Sequence, residues 1–346
     1  ESGNLGSGTS SRSHGMLQSG ARYAVTETSF AAQCYQERNI ISKIFPQAVK
    51  LIGGLFISLP KDPEDYSKEL LKCCKIAKIP IEEIGINEVL KSEKELNNNI
   101  VSAFRVPDAI IHPPKLFELL AKDIRSYGGE ILTNHQVISI KKNSNVANII
   151  VVASDGFIKN IECDGIINAA GPWSSKVAKL VNQNVELQLT RGCGIFFSGQ
   201  LVSKAINRCR IPNNNDIMCP SGKESLWGTT SNVVSDPESQ KTTNDEIQEL
   251  LLGAEELFPN IKNFKSFRTW SGIRPLIKPK KINKDLPLSR GHKVIDHEDQ
   301  GLENFLTICG GALTTHRLMA EDVVNKLGNK FGLDIQCSSH ITSLSK

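Results

Sequence analysis

Two segments carry cationic or phenolic side chains among small residues. Residues 11–25, SRSHGMLQSGARYAV, hold Arg22 and Tyr23, and residues 271–275, SGIRP, place Arg274 in a turn framed by glycine and proline. A guanidinium group can bind a phosphate or a carboxylate through two parallel hydrogen bonds. These segments therefore favour an anion site, although a surface arginine beside a core tyrosine explains Arg22 and Tyr23 equally well.

Two further segments place small residues where a strand meets a helix. Residues 161–173, IECDGIINAAGPW, and residues 306–321, LTICGGALTTHRLMAE, each join an apolar strand to a helix start. Small side chains let a ligand approach the backbone, and the free N–H groups of a helix start attract an anion such as a phosphate. Taken singly, each segment is equally typical of an ordinary tight turn.

Other polar residues are better explained without a ligand. His112, beside two prolines, is expected to start a helix, and the lysines of residues 278–284 are expected to form a solvated loop. His292 and His297 are too scattered to indicate a metal site. No Ser-His-Asp or paired-carboxylate arrangement stands out.

Hydrophobic periodicity and turn residues predict the elements that position these segments. The predicted helices are 31–44, 62–74 with Asp62 or Asp65 near its cap, 112–127, 172–180, 244–257 and one from Gly310-Gly311 to about Leu327. The predicted strands are 51–59, 130–141, 147–153, 161–168, 186–198, 224–230, 266–277, 292–296 and 305–309. Because strands and helices are interleaved, we predict an α/β chain with an inserted second domain.

The composition is that of a folded globular protein. Hydrophobic residues and glycine make up roughly 45% of the 346 residues, and the net charge of +4 gives no indication of nucleic acid binding. The longest apolar stretch, residues 51–59, is too short to span a bilayer. Nine cysteines without a CxxC pair indicate a reduced, intracellular protein rather than a disulfide framework or a zinc site.

Taken together and in this order, the segments resemble one family. HGMLQSGARYAVTE, INRCRIP, SLWGTTS, WSGIRPLI and TICGGALTTHRLMAE match the pattern of FAD-dependent glycerol-3-phosphate dehydrogenases within the glycine-oxidase-like (DAO) flavoproteins. The chain is particularly similar to the large (A) subunits of the anaerobic, quinone-linked enzymes. The resemblance implies a Rossmann-like FAD-binding domain with an inserted mixed or antiparallel β-sheet domain for the substrate. The implied FAD-binding domain comprises residues 1–50, 115–185 and 290–330, and the substrate domain comprises residues 51–114 and 186–289.

The same resemblance bears on the two ends of the chain. In this family the first βαβ unit carries a G-x-G-x-x-G turn and ends in an acid that holds the adenosine ribose, and Glu1 falls on that acid. We therefore expect a truncated FAD-binding domain without its pyrophosphate loop. The cysteine-rich C-terminal domain of the family's large subunit is also expected to be missing.

The resemblance implies site roles position by position. On the substrate side, Arg22, Tyr23 and Arg274 match groups that hold the phosphate and hydroxyls of glycerol 3-phosphate. No metal is implied. On the cofactor side, the residues that match FAD-contacting positions are Glu1, Ser10, Ser11, Arg12, His14, Val137, Ala169, Ala170, Gly171, Gly310, Gly311, Leu313 and Thr314.

Three positions depart from the family's pattern. Gln18 stands where the family typically has His, Ala312 where it has Lys, and His316 where it has Tyr. The implied reaction moves a hydride from C2 of the substrate to flavin N5 and needs an acceptor for the hydroxyl proton. A glutamine cannot act as a base at neutral pH, so Gln18 cannot accept the hydroxyl proton that the family's histidine could take at this catalytic position. His14 is close in sequence and could substitute, although it matches a cofactor-side position.

We therefore expect FAD-dependent oxidation of sn-glycerol 3-phosphate to dihydroxyacetone phosphate, with electrons passed to a quinone through partner subunits. The expected setting is cytoplasmic, with peripheral attachment to the cytoplasmic membrane in a hetero-oligomer with membrane-anchoring subunits. Two alternatives stay open. One is a related FAD oxidoreductase for a 2-hydroxy acid or an amine, and the other is a catalytically impaired remnant that serves only in interactions.

Overall fold

The computed structural model describes residues 1–143, 146–153, 155–278, 288–300, 302–334 and 336–341. The α-helices in these ranges are α1 (Thr28–Ile44), α2 (Glu64–Ile76), α3 (Ile86–Ser92), α4 (Pro113–Ser126), α5 (Ser174–Lys179), α6 (Asn244–Leu257) and α7 (His316–Lys330). The strands are β1 (Met16–Leu17), β2 (Val49–Leu51), β3 (Gly54–Ser58), β4 (Glu82–Glu83), β5 (Ser102–Val106), β6 (Ala109–Ile111), β7 (His135–Asn143), β8 (Val146–Ala153), β9 (Ile158–Cys163), β10 (Ile166–Asn168), β11 (Leu187–Ser198), β12 (Ala205–Arg208), β13 (Ile217–Ser221), β14 (Glu224–Gly228), β15 (Asn232–Val234), β16 (Ser266–Ile277), β17 (His292–Asp296) and β18 (Phe305–Gly310).

The largest sheet has nine strands in the order β15-β11-β14-β13-β12-β3-β5-β4, with β16 also paired to β11. The pairing of β12 with β3 is parallel, whereas β11 runs antiparallel to β14, β15 and β16. The sheet is therefore mixed, with both parallel and antiparallel pairs. Arg274 lies within the long strand β16, opposite Thr190 of β11, and not in the turn suggested by its neighbouring glycine and proline.

Strand β3 is buried throughout because the sheet is covered on both faces. Leu55 and Ile57 share one core cluster with helix α6, and Phe56, which points the other way, shares another with helix α2. All five residues of β3 are buried. A continuous apolar run of this length is the pattern of a strand buried on both sides.

A three-stranded sheet in the order β10-β18-β17 carries the second glycine-rich segment. Strand β18 runs parallel to β10 and antiparallel to β17. On one face of β18, Leu306 and Ile308 pack against Val323 of α7, and on the other face Cys309 packs against Ala178 of α5. The sheet thereby brings the turn after β10 and the turn after β18 to the same edge.

Two smaller sheets complete the fold. Strand β6 lies between β1 and β2, so it fixes the start of the QSGARY segment to the body of the chain. Strands β7, β8 and β9 form an antiparallel meander. The glycine-rich first twenty residues also have a defined path, with a 3₁₀ turn at Thr9–Ser11 before β1.

The structure corrects two of the predicted strands. The strand predicted over 51–59 is interrupted by Gly53, whose φ of +74° separates β2 from β3. The strand predicted over 161–168 is two strands, because β9 belongs to the meander and β10 pairs with β18. In both places a local apolar run continues while the backbone changes sheets.

The predicted helix start at His112 is confirmed, whereas the helix predicted from Asp62 begins at Glu64, with Asp65 in its first turn. His112 is the N-cap of α4, and its Nδ1 accepts a hydrogen bond of 3.2 Å from the backbone N–H of Lys115. Helix α2 begins after Pro63, with no side-chain cap. Asp62 instead accepts hydrogen bonds from the buried Arg208 and from the backbone of Leu59. The lysines at 280, 281 and 284, which are expected to lie in a solvated loop, are outside the described residues.

Three properties of the described residues bear on the sequence expectations. All nine cysteines are free thiols. No cluster of three or more His, Cys, Asp or Glu side chains is arranged there to hold a metal ion. None of the helices in the described ranges is long and apolar enough to cross a membrane.

Candidate active site

The four residues predicted to be catalytic line one cavity of about 300 Å³. Gln18, Arg22 and Tyr23 come from the loop after β1, and Arg274 comes from β16. The structure thus brings together two segments that are separated by more than half of the chain. The other lining residues are His14, Thr26, Glu27, Pro212, Asn213, Asn214, Ile217, Thr229, Thr230, Ser231, Leu288, Ser289 and Arg290.

Arg274 is a partly buried cation held by neutral groups. Its Nη1 donates a hydrogen bond of 3.0 Å to the carbonyl oxygen of Thr230, and its Nη2 donates one of 2.7 Å to Oγ1 of Thr229. None of the ion pairs formed among the described residues includes Arg274. Burial, followed by the positive charge of Arg290, lowers the pKa of Arg274 to about 9. This side chain therefore carries a charge that an anionic ligand would compensate.

Arg22 lies beside Arg274 in the lining and has a shared counterion. Its Nη2 lies 3.2 Å from Oδ2 of Asp216 and 3.1 Å from the carbonyl oxygen of Asn213. The other oxygen of Asp216 accepts two hydrogen bonds from Arg210. One buried carboxylate thus serves two guanidinium groups, and the site keeps an excess of positive charge.

The turn that carries Arg22 and Tyr23 is fixed by Gly20 and Asp108. Gly20 has φ of +90°, and a Cβ atom at this position would lie 2.1 Å from the carbonyl oxygen of Ala31. The buried Asp108 accepts a hydrogen bond of 2.7 Å from the backbone N–H of Ser19. The ring of Tyr23 packs edge-on against Phe30 at 5.2 Å. The sequence SGARY therefore forms one rigid turn.

Two residues of the cavity lining each have a buried polar atom without a hydrogen-bond partner. The atoms are Nε2 of His14 and Oε1 of Gln18. Burial lowers the pKa of His14 to about 3, and the nearby Arg274, Arg22 and Arg290 add to this effect. The imidazole is therefore neutral at physiological pH. Because buried polar atoms are usually paired, these two atoms indicate a bound group that donates or shares hydrogen bonds.

Sequence reasoning missed Arg290, the third arginine of the lining. Its backbone N–H donates to Oε2 of Glu27 at 3.1 Å, and the other oxygen of Glu27 accepts from Ser289. The SRG segment before β17 has no periodicity or motif that distinguishes Arg290. Its effect on the pKa of Arg274 is the signal that places its charge at the site.

The predicted cofactor residues around β10 and β16 leave space beside the backbone. Ser10, Ser11 and Arg12 are exposed, and a Cβ atom at Gly171 would meet nothing within 4 Å. Gly171 follows Ala169 and Ala170, whose turn is held by Asn168. Exposed hydroxyl and guanidinium groups next to an open glycine turn fit a phosphate-bearing cofactor.

The second glycine turn lies at the end of β18. Gly310 has φ of +80°, and a Cβ atom there would lie 2.4 Å from the carbonyl oxygen of Gly291. The chain then forms a 3₁₀ turn, Leu313–Thr315, directly before α7. Thr314 Oγ1 accepts a hydrogen bond of 3.2 Å from the backbone N–H of Gln18. The predicted cofactor turn is therefore in direct contact with the predicted substrate loop.

Glu1 and Val137 lie together at β7, and neither is among the residues that line the cavity. The carbonyl oxygen of Glu1 accepts a hydrogen bond of 2.9 Å from the backbone N–H of His135, two residues before Val137. Their predicted contacts with the ribose and the adenine stay predictions.

Ala312 and His316, two of the positions that depart from the family pattern, are outside the cavity lining. Nδ1 of the buried His316 lies 2.7 Å from the carbonyl oxygen of Leu313, and burial lowers its pKa. His316 thus stabilises the start of α7. His14, which matched a cofactor position, is in the same cavity lining as Gln18.

The buried carboxylate of Glu246 accepts hydrogen bonds from Arg191 and from Thr230, a residue of the cavity lining. Glu246 of α6 accepts hydrogen bonds of 2.9 and 3.2 Å from Arg191 and one of 3.3 Å from Oγ1 of Thr230. Thr243, the N-cap of α6, forms a capping box with the same carboxylate. Helix α6 is thereby connected to the residue whose carbonyl oxygen holds Arg274.

Comparison with known proteins supplies the family. The sequence profile of the FAD dependent oxidoreductase (DAO) family matches residues 1–326. The chain belongs to this family. Its predicted α/β fold and its FAD cofactor are confirmed, and its open glycine turn fits that cofactor.

Several curated relatives are A subunits of the anaerobic glycerol-3-phosphate dehydrogenase. The chain is 32% identical to the A subunit of this enzyme from Escherichia coli K12, over 97% of this chain and 63% of the relative. It is 30% identical to the A1 subunit from Haloferax volcanii, over 97% of this chain and 60% of the relative. The chain therefore spans about three-fifths of the length of these relatives.

Solved structures share the fold. Glycine oxidase from Geobacillus kaustophilus superposes with a TM-score of 0.75 at 18% identity, covering 100% of this chain and 90% of the other. L-α-glycerophosphate oxidase from Mycoplasma pneumoniae with FAD bound superposes with a TM-score of 0.77 at 19% identity, covering 95% of this chain and 87% of the other.

Proposed function

We propose that this chain oxidises sn-glycerol 3-phosphate to dihydroxyacetone phosphate with FAD as the electron acceptor. The observation that carries the proposal is the partly buried Arg274, which has a positive charge, neutral hydrogen-bond partners and two further arginines in the same lining. A phosphate dianion matches this excess of charge, and guanidinium groups bind it with two hydrogen bonds each.

The polar atoms without partners suit the rest of such a substrate. The glycerol part of the molecule carries hydroxyl groups, which donate hydrogen bonds to an acceptor such as Oε1 of Gln18. We assign Arg22, Arg274 and Arg290 to the phosphate, and Gln18 and Tyr23 to the hydroxyls. The names of the curated relatives support the same substrate.

FAD supplies a two-electron acceptor for the hydrogen on C2 of the substrate. The residues that would hold it are those of the exposed 10–12 segment, the 169–171 turn and the turn from Gly310 to Thr314, with Glu1 and Val137 toward the adenosine. The start of α7 would stabilise negative charge on a bound group through its free N–H groups. The hydrogen bond between Gln18 and Thr314 fixes the spacing between the substrate loop and this turn.

A 2-hydroxy acid or an amine is the second candidate substrate class. A carboxylate also pairs with a guanidinium group, and the fold is shared with glycine oxidase. We place this candidate second because a single carboxylate would neutralise one of the three arginines in the lining.

Partners and domain roles follow from the same resemblance. We propose that electrons pass to a quinone through partner subunits in a hetero-oligomer, and that the chain works in the cytoplasm or peripherally on the cytoplasmic membrane. The curated relatives are named as subunits, which supports this proposal.

We also propose that residues 51–114 and 186–289 form the substrate domain and that residues 1–50, 115–185 and 290–330 bind FAD. All strands of the nine-stranded sheet fall within the first set.

The test is the visible spectrum of the purified, FAD-loaded protein without oxygen. We expect the flavin band to bleach when glycerol 3-phosphate is added. Arg274→Met should abolish bleaching at substrate concentrations that saturate the wild type, whereas Arg105→Met, at an exposed arginine outside the cavity lining, should not. Bleaching by a 2-hydroxy acid or an amine alone would establish the second candidate. If neither glycerol 3-phosphate nor a 2-hydroxy acid nor an amine reduces the flavin, both candidate functions are contradicted.

A further inference from the structure

We propose that His14 accepts the proton of the substrate hydroxyl group. This inference rests on the proposed function, since oxidation of an alcohol to a ketone releases that proton. It concerns a residue whose sequence match pointed to the cofactor rather than to catalysis.

The first argument is position. His14 lines the same cavity as Arg22 and Arg274, and its Nε2 is buried without a hydrogen-bond partner. The ring lies edge-on to Trp270, with 6.2 Å between the ring centroids. A neutral imidazole nitrogen without a partner is able to accept a hydrogen bond and then a proton from a hydroxyl group.

The second argument is the chemistry of the other lining residues. Among those that the structure describes, two side chains carry a group able to accept a proton at neutral pH, namely His14 and Glu27. Both carboxylate oxygens of Glu27 already accept hydrogen bonds, from Ser289 and from the backbone of Arg290. Gln18 offers an amide, which is not a base. His14 is therefore the lining residue with a basic atom free for a ligand.

The third argument is charge. The groups that oppose a proton on His14 are Arg274 of β16, Arg22 of the loop after β1, and Arg290 before β17. A bound phosphate dianion would offset these positive charges, so the basicity of His14 should rise when the substrate binds. The phosphate that the arginines bind would therefore also raise the pKa of His14 and make it a stronger base.

The step balances without any further reactant. The O–H bond of the C2 hydroxyl breaks, and its proton forms an N–H bond with Nε2 of His14. The C2–H bond would break at the same carbon, and its hydrogen would leave with the electron pair, for which FAD would supply the acceptor, while the electrons of the O–H bond would form the second bond of the carbonyl group. The alcohol loses two electrons to the flavin, and the histidine leaves the step as an imidazolium.

The test combines flavin reduction with a readout that needs no turnover. We expect His14→Gln to slow flavin reduction by glycerol 3-phosphate about 10²-fold or more. We also expect imidazole in solution to restore part of the rate in His14→Ala, in proportion to its neutral form. A purely structural role for His14 would give no such rescue.

The second readout is the titration of histidine signals by NMR in protein with ¹³C-labelled histidine. The signal that is missing in His14→Gln identifies His14. We expect its pKa to lie well below 6.5 without ligand and to rise when inorganic phosphate saturates the cavity. An unchanged titration would overturn the charge argument.

The outcomes separate this inference from the proposed function. A wild-type flavin that glycerol 3-phosphate does not reduce would overturn the proposed function itself. A wild type that is reduced, together with a His14→Gln variant of equal rate, would overturn the role of His14 alone. Slow reduction without rescue by imidazole would assign His14 to positioning rather than to proton transfer.

Discussion

The backbone N–H of Gln18 donates a hydrogen bond of 3.2 Å to Oγ1 of Thr314, across a sequence separation of 296 residues. Gln18 begins the loop that carries Arg22, and the buried Thr314 belongs to the turn that precedes α7. One side chain thus joins the proposed substrate loop to the proposed cofactor turn. The geometry of the reaction would depend on this contact, because a hydride moves only between atoms held close together.

We predict that Thr314→Val weakens both stability and substrate binding. Valine has nearly the same shape as threonine but cannot accept the hydrogen bond, so the N–H of Gln18 loses its partner. The free energy of unfolding should fall by about 0.5–1.5 kcal/mol in urea denaturation, and the apparent Kd for glycerol 3-phosphate should rise. Thr314→Ser keeps the hydroxyl group and is the matched control. Equal values for valine and threonine would show that the contact is unimportant.

Asp108 should prove to be a positioning residue for Arg22 and Tyr23. Its buried carboxyl group accepts the backbone N–H of Ser19 at 2.7 Å, and burial raises its pKa above the ordinary value for a carboxyl group. We predict that Asp108→Ala costs about 1–3 kcal/mol of unfolding free energy, because it leaves a buried N–H group without an acceptor. Phosphate binding, measured by calorimetry, should weaken as the turn loosens.

Asp108→Asn provides the control for this prediction. The amide oxygen of asparagine can still accept the hydrogen bond from Ser19, so this variant should keep most of the phosphate affinity. If both variants lose affinity equally, the charge of Asp108 matters and its hydrogen bond does not.

The sequence was sufficient for elements whose boundaries are set locally. Helix α6 was predicted at its observed bounds, because Thr243 and Glu246 form a capping box within one turn. Strand β16 was also predicted as observed. Short strands such as β12 and β13 were missed, since they are held by neighbours far along the chain. The division of residues 161–168 between two sheets likewise depends on tertiary pairing.

The candidate site was predictable where a motif framed the residue. Arg22, Tyr23 and Arg274 stand in glycine-containing motifs, and all three line the cavity. Arg290 has no such frame, and only the fold brings its charge close to Arg274. The position of His14 relative to Gln18 could not be predicted either, because it depends on the path of the loop around β1.

Protonation of His14 should make the protein less stable in acid. Its pKa is about 3 in the folded state, against 6.5 for an unperturbed histidine, so the unfolded chain binds this proton first as the pH falls. Above about pH 6.5 His14 is neutral in both the folded and the unfolded chain and does not affect the pH dependence of stability. Below that pH the free energy of unfolding decreases by up to about 1.4 kcal/mol for each unit that the pH falls, until the pH approaches 3. Urea denaturation across this range should show a shallower pH dependence in His14→Gln than in the wild type. Parallel curves for the two proteins would contradict the burial of a neutral imidazole.

Arg274→Met separates a binding role from a structural one. A partly buried guanidinium without a carboxylate partner is costly when no anion is bound, so replacing it with an apolar side chain of similar length should leave the unfolding free energy unchanged or raise it. Phosphate at 100 times its Kd should stabilise the wild type by about 2.7 kcal/mol through mass action, and this stabilisation should disappear in the variant. Arg274→Lys, which keeps the charge but not the two-pronged geometry, should retain a part of it. A loss of several kcal/mol in Arg274→Met without ligand would instead identify Arg274 as a structural residue, held for its bonds to Thr229 and Thr230.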